Sequence, residues 1–162
     1  MEKPIIVIAR DNSMSIPLNN DSNYYFNIFP KQIDEFASSL GKDYEVVVYN
    51  FGAELKAEDK LNYKEKITNI SSSIEDIKLR FMNRNLGALV LATDGLYNQG
   101  MNPVFDAASL KAPIYTVALG DTSIKKDALI KEVAYNKVVF LGNQFPIDIS
   151  VVANKLQGAN TT

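Results

Sequence analysis

The sequence predicts an α/β protein: a doubly wound, mainly parallel sheet flanked by helices, followed by a short β-rich extension. Three observations predict it. Apolar runs of strand length recur at residues 5–8, 44–51, 86–93 and 113–119, too short for confident helices and apolar enough for burial on both faces. Amphipathic helical patterns separate these runs, as right-handed crossovers between parallel strands require. Beyond about residue 121 the helical patterns stop and only short β-like runs remain.

The first strand, about residues 4–10, carries Ile5-Ile6-Val7-Ile8 and ends abruptly in Asp11-Asn12-Ser13-Met14-Ser15. A polar stretch at residues 19–23 reads as loop. A helix is expected to start at Phe29-Pro30, because proline suits the first helical turn. Its inward stripe is Ile33, Phe36, Ala37 and Leu40, and Gly41 closes it. Residues 44–51 form the second strand, broken by Gly52, with a charged edge strand at 53–57. Residues 62–68 read as loop or a short helical turn, and 71–83 as a helix with Ile74, Ile77 and Phe81 inward. Residues 86–93 are a strand buried on both faces that ends at Asp94-Gly95. A short helix at 103–110 and a fourth buried strand at 113–119 follow. In the extension, runs at 129–133, 138–141 and 147–152 read as β, the last with clear alternation.

With 162 residues, 46% apolar and 22% charged, the chain suits one compact domain and a fragment of a second. The boundaries expected are 1–122 and 123–162. A net charge of −2 gives no basic footprint for nucleic acid. No apolar run reaches the roughly 18 residues needed to insert in a bilayer, and no leader pattern precedes the first strand. The chain has no Cys and no His, which excludes disulfides, thiolate zinc sites, cysteine nucleophiles and histidine bases. Neither the phosphate-loop nor the dinucleotide glycine fingerprint occurs.

What remains is oxygen chemistry. Buried parallel strands present their functional groups at their carboxyl ends, the usual ligand edge of an open α/β sheet. There the chain places Asp11, Ser13 and Ser15 after one strand and Asp94 after another, with the hydroxyl-rich segment from Thr68 to Ser73 between them in sequence. Hard divalent cations take oxygen ligands, so these donors suit Mg²⁺ or a similar ion. Each group alone has a plainer use: Asp11 to Ser15 in an Asx-turn, Asp94-Gly95 in a turn, Thr68 as a helix cap.

Together and in this order, the pattern resembles the von Willebrand factor A (VWA) family, whose metal-ion-dependent adhesion site uses Asp-x-Ser-x-Ser, a Thr in a second loop and an Asp in a third. The resemblance covers residues 1 to about 122, and all five metal positions are filled. It implies a Rossmann-like VWA fold in which Ser13 and Ser15 coordinate the ion directly. Thr68 would coordinate directly or through water according to conformational state, and Asp11 and Asp94 through water or directly. It further implies Mg²⁺, with Mn²⁺ or Ca²⁺ as alternatives, and an open position for a carboxylate from a protein partner. Asn12, Met14, Tyr24, Tyr25, Gly95 and Tyr97 are candidates for the ligand-binding rim. The rings at 24–26 better suit packing beneath the first loop, and Tyr97-Asn98-Gln99-Gly100 equally suits a flexible turn.

The function expected is therefore divalent-metal-dependent protein binding, with no catalytic residue. The alternatives are a metal-assisted hydrolase or phosphoryl-transfer domain, or a structural VWA domain with a vestigial site. Against the enzyme, Asp11 as nucleophile lacks a second acid two residues on, where Ser13 stands. The extension looks like the start of an immunoglobulin-like sandwich, which needs about seven strands. The chain is thus expected to be a fragment whose partners include the rest of its own longer protein. That architecture suggests the periplasmic face of a bacterial membrane, with the cytoplasm as the alternative.

Overall fold

The computed structural model describes residues 3–18, 22–57, 60–120, 127–138, 140–142, 144–154 and 156. The chain divides into two compact units, residues 1–121 and 122–162.

The first unit is a five-stranded sheet. Strand β1 (Ile5–Asp11) is buried along its whole length. It lies between β2 (Glu45–Phe51) and β4 (Leu86–Thr93), parallel to both. Strand β5 (Ile114–Ala118) pairs parallel with β4, and the two-residue β3 (Leu55–Lys56) pairs antiparallel with β2. The order β3-β2-β1-β4-β5 makes β1 the switch point. Chain leaving β1 moves one way to β2, and the later crossover returns past β1 to β4. Right-handed crossovers in opposite directions put their helices on opposite faces.

Side-chain alternation divides the core accordingly. Ile5, Val7 and Ala9 meet helix α2 (Ile70–Arg80) through Ile70, Ile74 and Ile77. Ile6 and Ile8 meet helix α1 (Phe29–Leu40) through Phe29 and Ile33. Each fully buried Ile or Leu contributes about 2 kcal/mol of transfer free energy. Pro30 occupies the first turn of α1, and the Gly41 amide closes its end on Ala37 O at 3.1 Å. A π-helical turn (Tyr24–Ile28) leads into α1. Helix α3 (Pro103–Ser109) sets Ala107 against the α2-side core.

Two expectations need correction here. Residues 113–119 are not a fourth buried strand: β5 is the sheet edge, and Tyr115 is 61% exposed. On the α1 side, Ala88, Val90, Tyr115 and Val117 instead floor an apolar groove of about 720 Å³ beside Ile33, Phe36 and Leu40. Helix α2 spans 70–80 rather than 71–83: Asn69, and not Thr68, caps its start by accepting from Ser72 N at 3.0 Å, and the Phe81 amide closes its end on Ile77 O at 3.0 Å.

The second unit is an antiparallel ribbon of β6 (Asp127–Tyr135) and β7 (Ile147–Asn154), with Leu129 opposite Val152 and Val133 opposite Ile149. The run expected at 138–141 forms no strand at Val138, Phe140 or Leu141, and residue 139 lies outside the described residues. Ile130, Ile147, Ile149 and Val151 are exposed. Among the described residues no helix is long and apolar enough to cross a membrane.

Candidate metal centre

Loops leaving the carboxyl ends of β1 and β4 diverge at the switch point, opening a crevice between them. The register sets Arg10 beside Ala92, so Asp11 ends its strand next to Thr93. The Asp11 side chain is fully buried and bonded at both oxygens: Oδ1 accepts from Ser13 N at 2.9 Å, and Oδ2 from Thr93 Oγ1 at 2.6 Å. The first is an Asx-turn. The plain reading of this motif and the metal reading are compatible, because the turn folds Ser13 and Ser15 back over the strand end. Their hydroxyls are hydrogen-bonded to each other at 2.9 Å. Asp94 repeats the device, with Oδ1 accepting from Leu96 N at 2.9 Å. Gly95 at φ 76° lets the backbone turn there, a conformation costly for a side chain with Cβ.

Three loops are tied to one another. Loop one (residues 11–16) and loop two (residues 62–69) share a bridge in which Met14 N donates to Glu65 O at 3.0 Å and Glu65 N to Asn12 O at 3.3 Å. The last residue of β4, before loop three (residues 94–100), meets loop one where Thr93 Oγ1 donates to Asp11. Loop three meets loop two where Asn98 N and Gln99 N reach Thr68 O at 3.2 and 3.3 Å. Ser13, Ser15 and Thr68 line one cleft of about 280 Å³ with Met14, Glu65, Lys66, Leu96, Tyr97 and Asn98.

Burial pushes the Asp11 carboxyl above its ordinary value; the bonds from Thr93 and Ser13 oppose that push, and the Asp94 charge adds to it. A cation between the acids would relieve both the burial cost and the repulsion. Arg10 points to the opposite face, buried, and donates to Asn50 Oδ1 at 2.8 Å.

The three hydroxyls that share the cleft suit a small hard cation. An octahedral Mg²⁺ site with ligands at about 2.0–2.1 Å has neighbouring oxygens about 2.8–3.0 Å apart, the separation of the two serine hydroxyls. Among the described residues no three carboxylate, histidine or cysteine groups converge, so hydroxyls must complete the set. Ser13, Ser15 and Thr68 would supply them, with Asp11 and Asp94 balancing the charge.

Two rim candidates are placed elsewhere. Asn12 is only 2% exposed, and its Oδ1 accepts from Asn62 N at 2.9 Å and Tyr63 N at 2.7 Å. Tyr25 is buried, and its hydroxyl accepts from Gly120 N at 2.7 Å. Tyr24 is half-buried, bonded to Gln32 at 2.9 Å, and packs edge-on to Tyr25. Met14, Tyr97 and Gly95 are exposed beside the cleft. Thr93 and Asn69 are not among the candidates the sequence offers, and Asn98 enters only within the segment 97–100. Thr93 carried a usable signal, a hydroxyl at the end of a buried strand one residue before an acid.

No protein-family profile and no curated protein sequence matches the chain. Solved structures do. Proximal thread matrix protein 1 from the mussel byssus, with zinc in its MIDAS motif, shares 20% identity at a TM-score of 0.54 over 74% of this chain. A second crystal form of that protein gives 20% and 0.53. This chain spans only 38% of the mussel protein's length. An aerotolerance-related membrane protein from Bacteroides fragilis, carrying multiple mutations to serine, shares 17% identity at a TM-score of 0.51. That likeness covers 93% of this chain and 81% of the other. Identities this low speak for the fold. The first unit has the Rossmann-like architecture of a von Willebrand factor A domain.

Proposed function

We propose that this chain is a divalent-cation-dependent protein-binding module. Ser13 and Ser15 hold Mg²⁺ directly, Thr68 directly or through water, and Asp11 and Asp94 through water or directly. The observation that carries the reading is that Ser13, Ser15 and Thr68, from two separate loops, line one cleft at the strand end where Asp11 is buried. Two carboxylates do no more than balance the ion's charge, so the remaining position suits a carboxylate from a partner protein. Met14, Leu96 and Tyr97 stand exposed beside that position and offer apolar contact around it. The zinc-occupied MIDAS of the mussel protein, on a similar fold, supports a divalent metal here.

The ribbon at 127–154, with its apolar side chains exposed, supports the reading of residues 123–162 as the start of an immunoglobulin-like domain. The likeness to a bacterial membrane protein supports a place at a membrane, and the periplasmic face is the side proposed. Calorimetric titration of the metal-free chain with Mg²⁺ and Mn²⁺ tests the site, with Asp94→Ala as control. Saturable one-to-one binding that disappears in the variant, while its helical circular dichroism is retained, is the expected result. No heat and no thermal stabilisation by either ion would overturn the metal reading.

A further inference from the structure

Asn98 sits exposed on loop three, yet both ends of its side-chain amide are engaged by the backbone of loop two. Its Oδ1 accepts from Thr68 N at 2.9 Å, and its Nδ2 donates to Lys66 O at 2.8 Å. The backbone adds a second grip, because Asn98 N and Gln99 N both point at Thr68 O. Thr68 is therefore held on both sides of its α-carbon by loop three. Two residues further on, Gly100 at φ 90° lies so close to Asn69 that a Cβ would collide with that side chain. Asn69 is the cap of α2, so loop three is seated against the start of that helix as well.

We infer that Asn98 is a positioning residue for the cation site: it clasps loop two to loop three and so fixes the Thr68 hydroxyl relative to Asp94. The inference rests on the metal reading above. Thr68 and Asp94 belong to separate connections, one before α2 and the other after β4, and neither backbone alone sets their separation. A short planar group offering an acceptor and a donor together is what the two loop-two groups require, and asparagine supplies both. Aspartate keeps the acceptor and loses the donor; alanine loses both. Because Asn98 is exposed and outside the core, its removal loosens the site without opening the fold.

The test uses the full chain. Mn²⁺ affinity, metal-free melting temperature and the exchange rate of the Thr68 amide are measured for wild type, Asn98→Ala and Asn98→Asp. Supporting partners of metal ligands typically matter about tenfold or more in affinity, so Asn98→Ala is expected to bind Mn²⁺ about tenfold more weakly. Its metal-free melting temperature falls by only a few degrees, the cost of two partly exposed hydrogen bonds, and its Thr68 amide exchanges faster. Asn98→Asp keeps that amide protected, since a carboxylate oxygen still accepts from it. Unchanged Mn²⁺ affinity in Asn98→Ala, or an unchanged Thr68 exchange rate, overturns the inference while leaving the metal reading intact. A fall in metal-free melting temperature well beyond those few degrees also overturns it, by making the role merely structural. No Mn²⁺ binding by the wild type removes the metal reading and this inference with it.

Discussion

Asn12→Ala separates a rim residue from a structural one. The substitution deletes the acceptor for two backbone amides, Asn62 N and Tyr63 N, and the donor that Asn12 Nδ2 gives to Asn62 Oδ1 at 3.1 Å. The Tyr63 amide lies in a buried setting, and an orphaned buried donor costs about 1–3 kcal/mol. Asn62 N is only partly buried, so water recovers much of its bond and the net loss is about 0.5–1 kcal/mol. Tyr63 also stands at φ 52°, a left-handed conformation that costs a non-glycine residue about 1 kcal/mol and must be held by its surroundings. The two lost amide bonds sum to a destabilisation of about 1.5–4 kcal/mol. With a urea dependence of about 2 kcal/mol per molar, the unfolding midpoint falls by about 0.75–2 M. The helical circular dichroism band is the right probe, because all helices among the described residues lie in residues 24–109. A rim residue would change stability by no more than about 0.5 kcal/mol, so a midpoint shift below about 0.25 M refutes the reasoning.

Two further outcomes are expected. Gly100→Ala forces a Cβ onto a residue at φ 90° and into the side chain that caps α2, so a loss of about 1–3 kcal/mol in urea unfolding is expected; wild-type stability would show that loop three is not seated there. A chain cut after residue 121 is expected to keep its helical signal, its cooperative melt and its metal affinity, because both core clusters lie between Ile5 and Leu119. Loss of the cooperative melt would show that residues 122–162 complete the fold.

Sequence periodicity located most elements well, and the reason is local. Strand β4 at 86–93 is a continuous apolar run bounded by polar residues, and α1 begins where Pro30 permits a helix to begin. Asp11 and Asp94 were legible as candidate ligands because each follows a buried strand directly, and strand ends in an open α/β sheet face the crevice. The exposure of β5 is not legible in the sequence because an apolar strand looks alike at the centre and at the edge of a sheet. Only the order of strands distinguishes the two, and Tyr115 stands on the open side.

The polar residues divide in the same way. By itself the sequence determined that this chain carries oxygen donors at strand ends and lacks histidine and cysteine chemistry. Tertiary structure decided which polar side chains face the cleft and which hold it together. Asn12 stands between two candidate ligands in sequence yet turns inward, because the amides it satisfies arrive from residues 62 and 63. Thr93 serves Asp11 across 82 residues, and Asn98 serves Thr68 across 30. Such pairings leave no periodicity, because a hydrogen bond between loops depends on where the folded sheet brings them and not on the spacing of either residue along the chain.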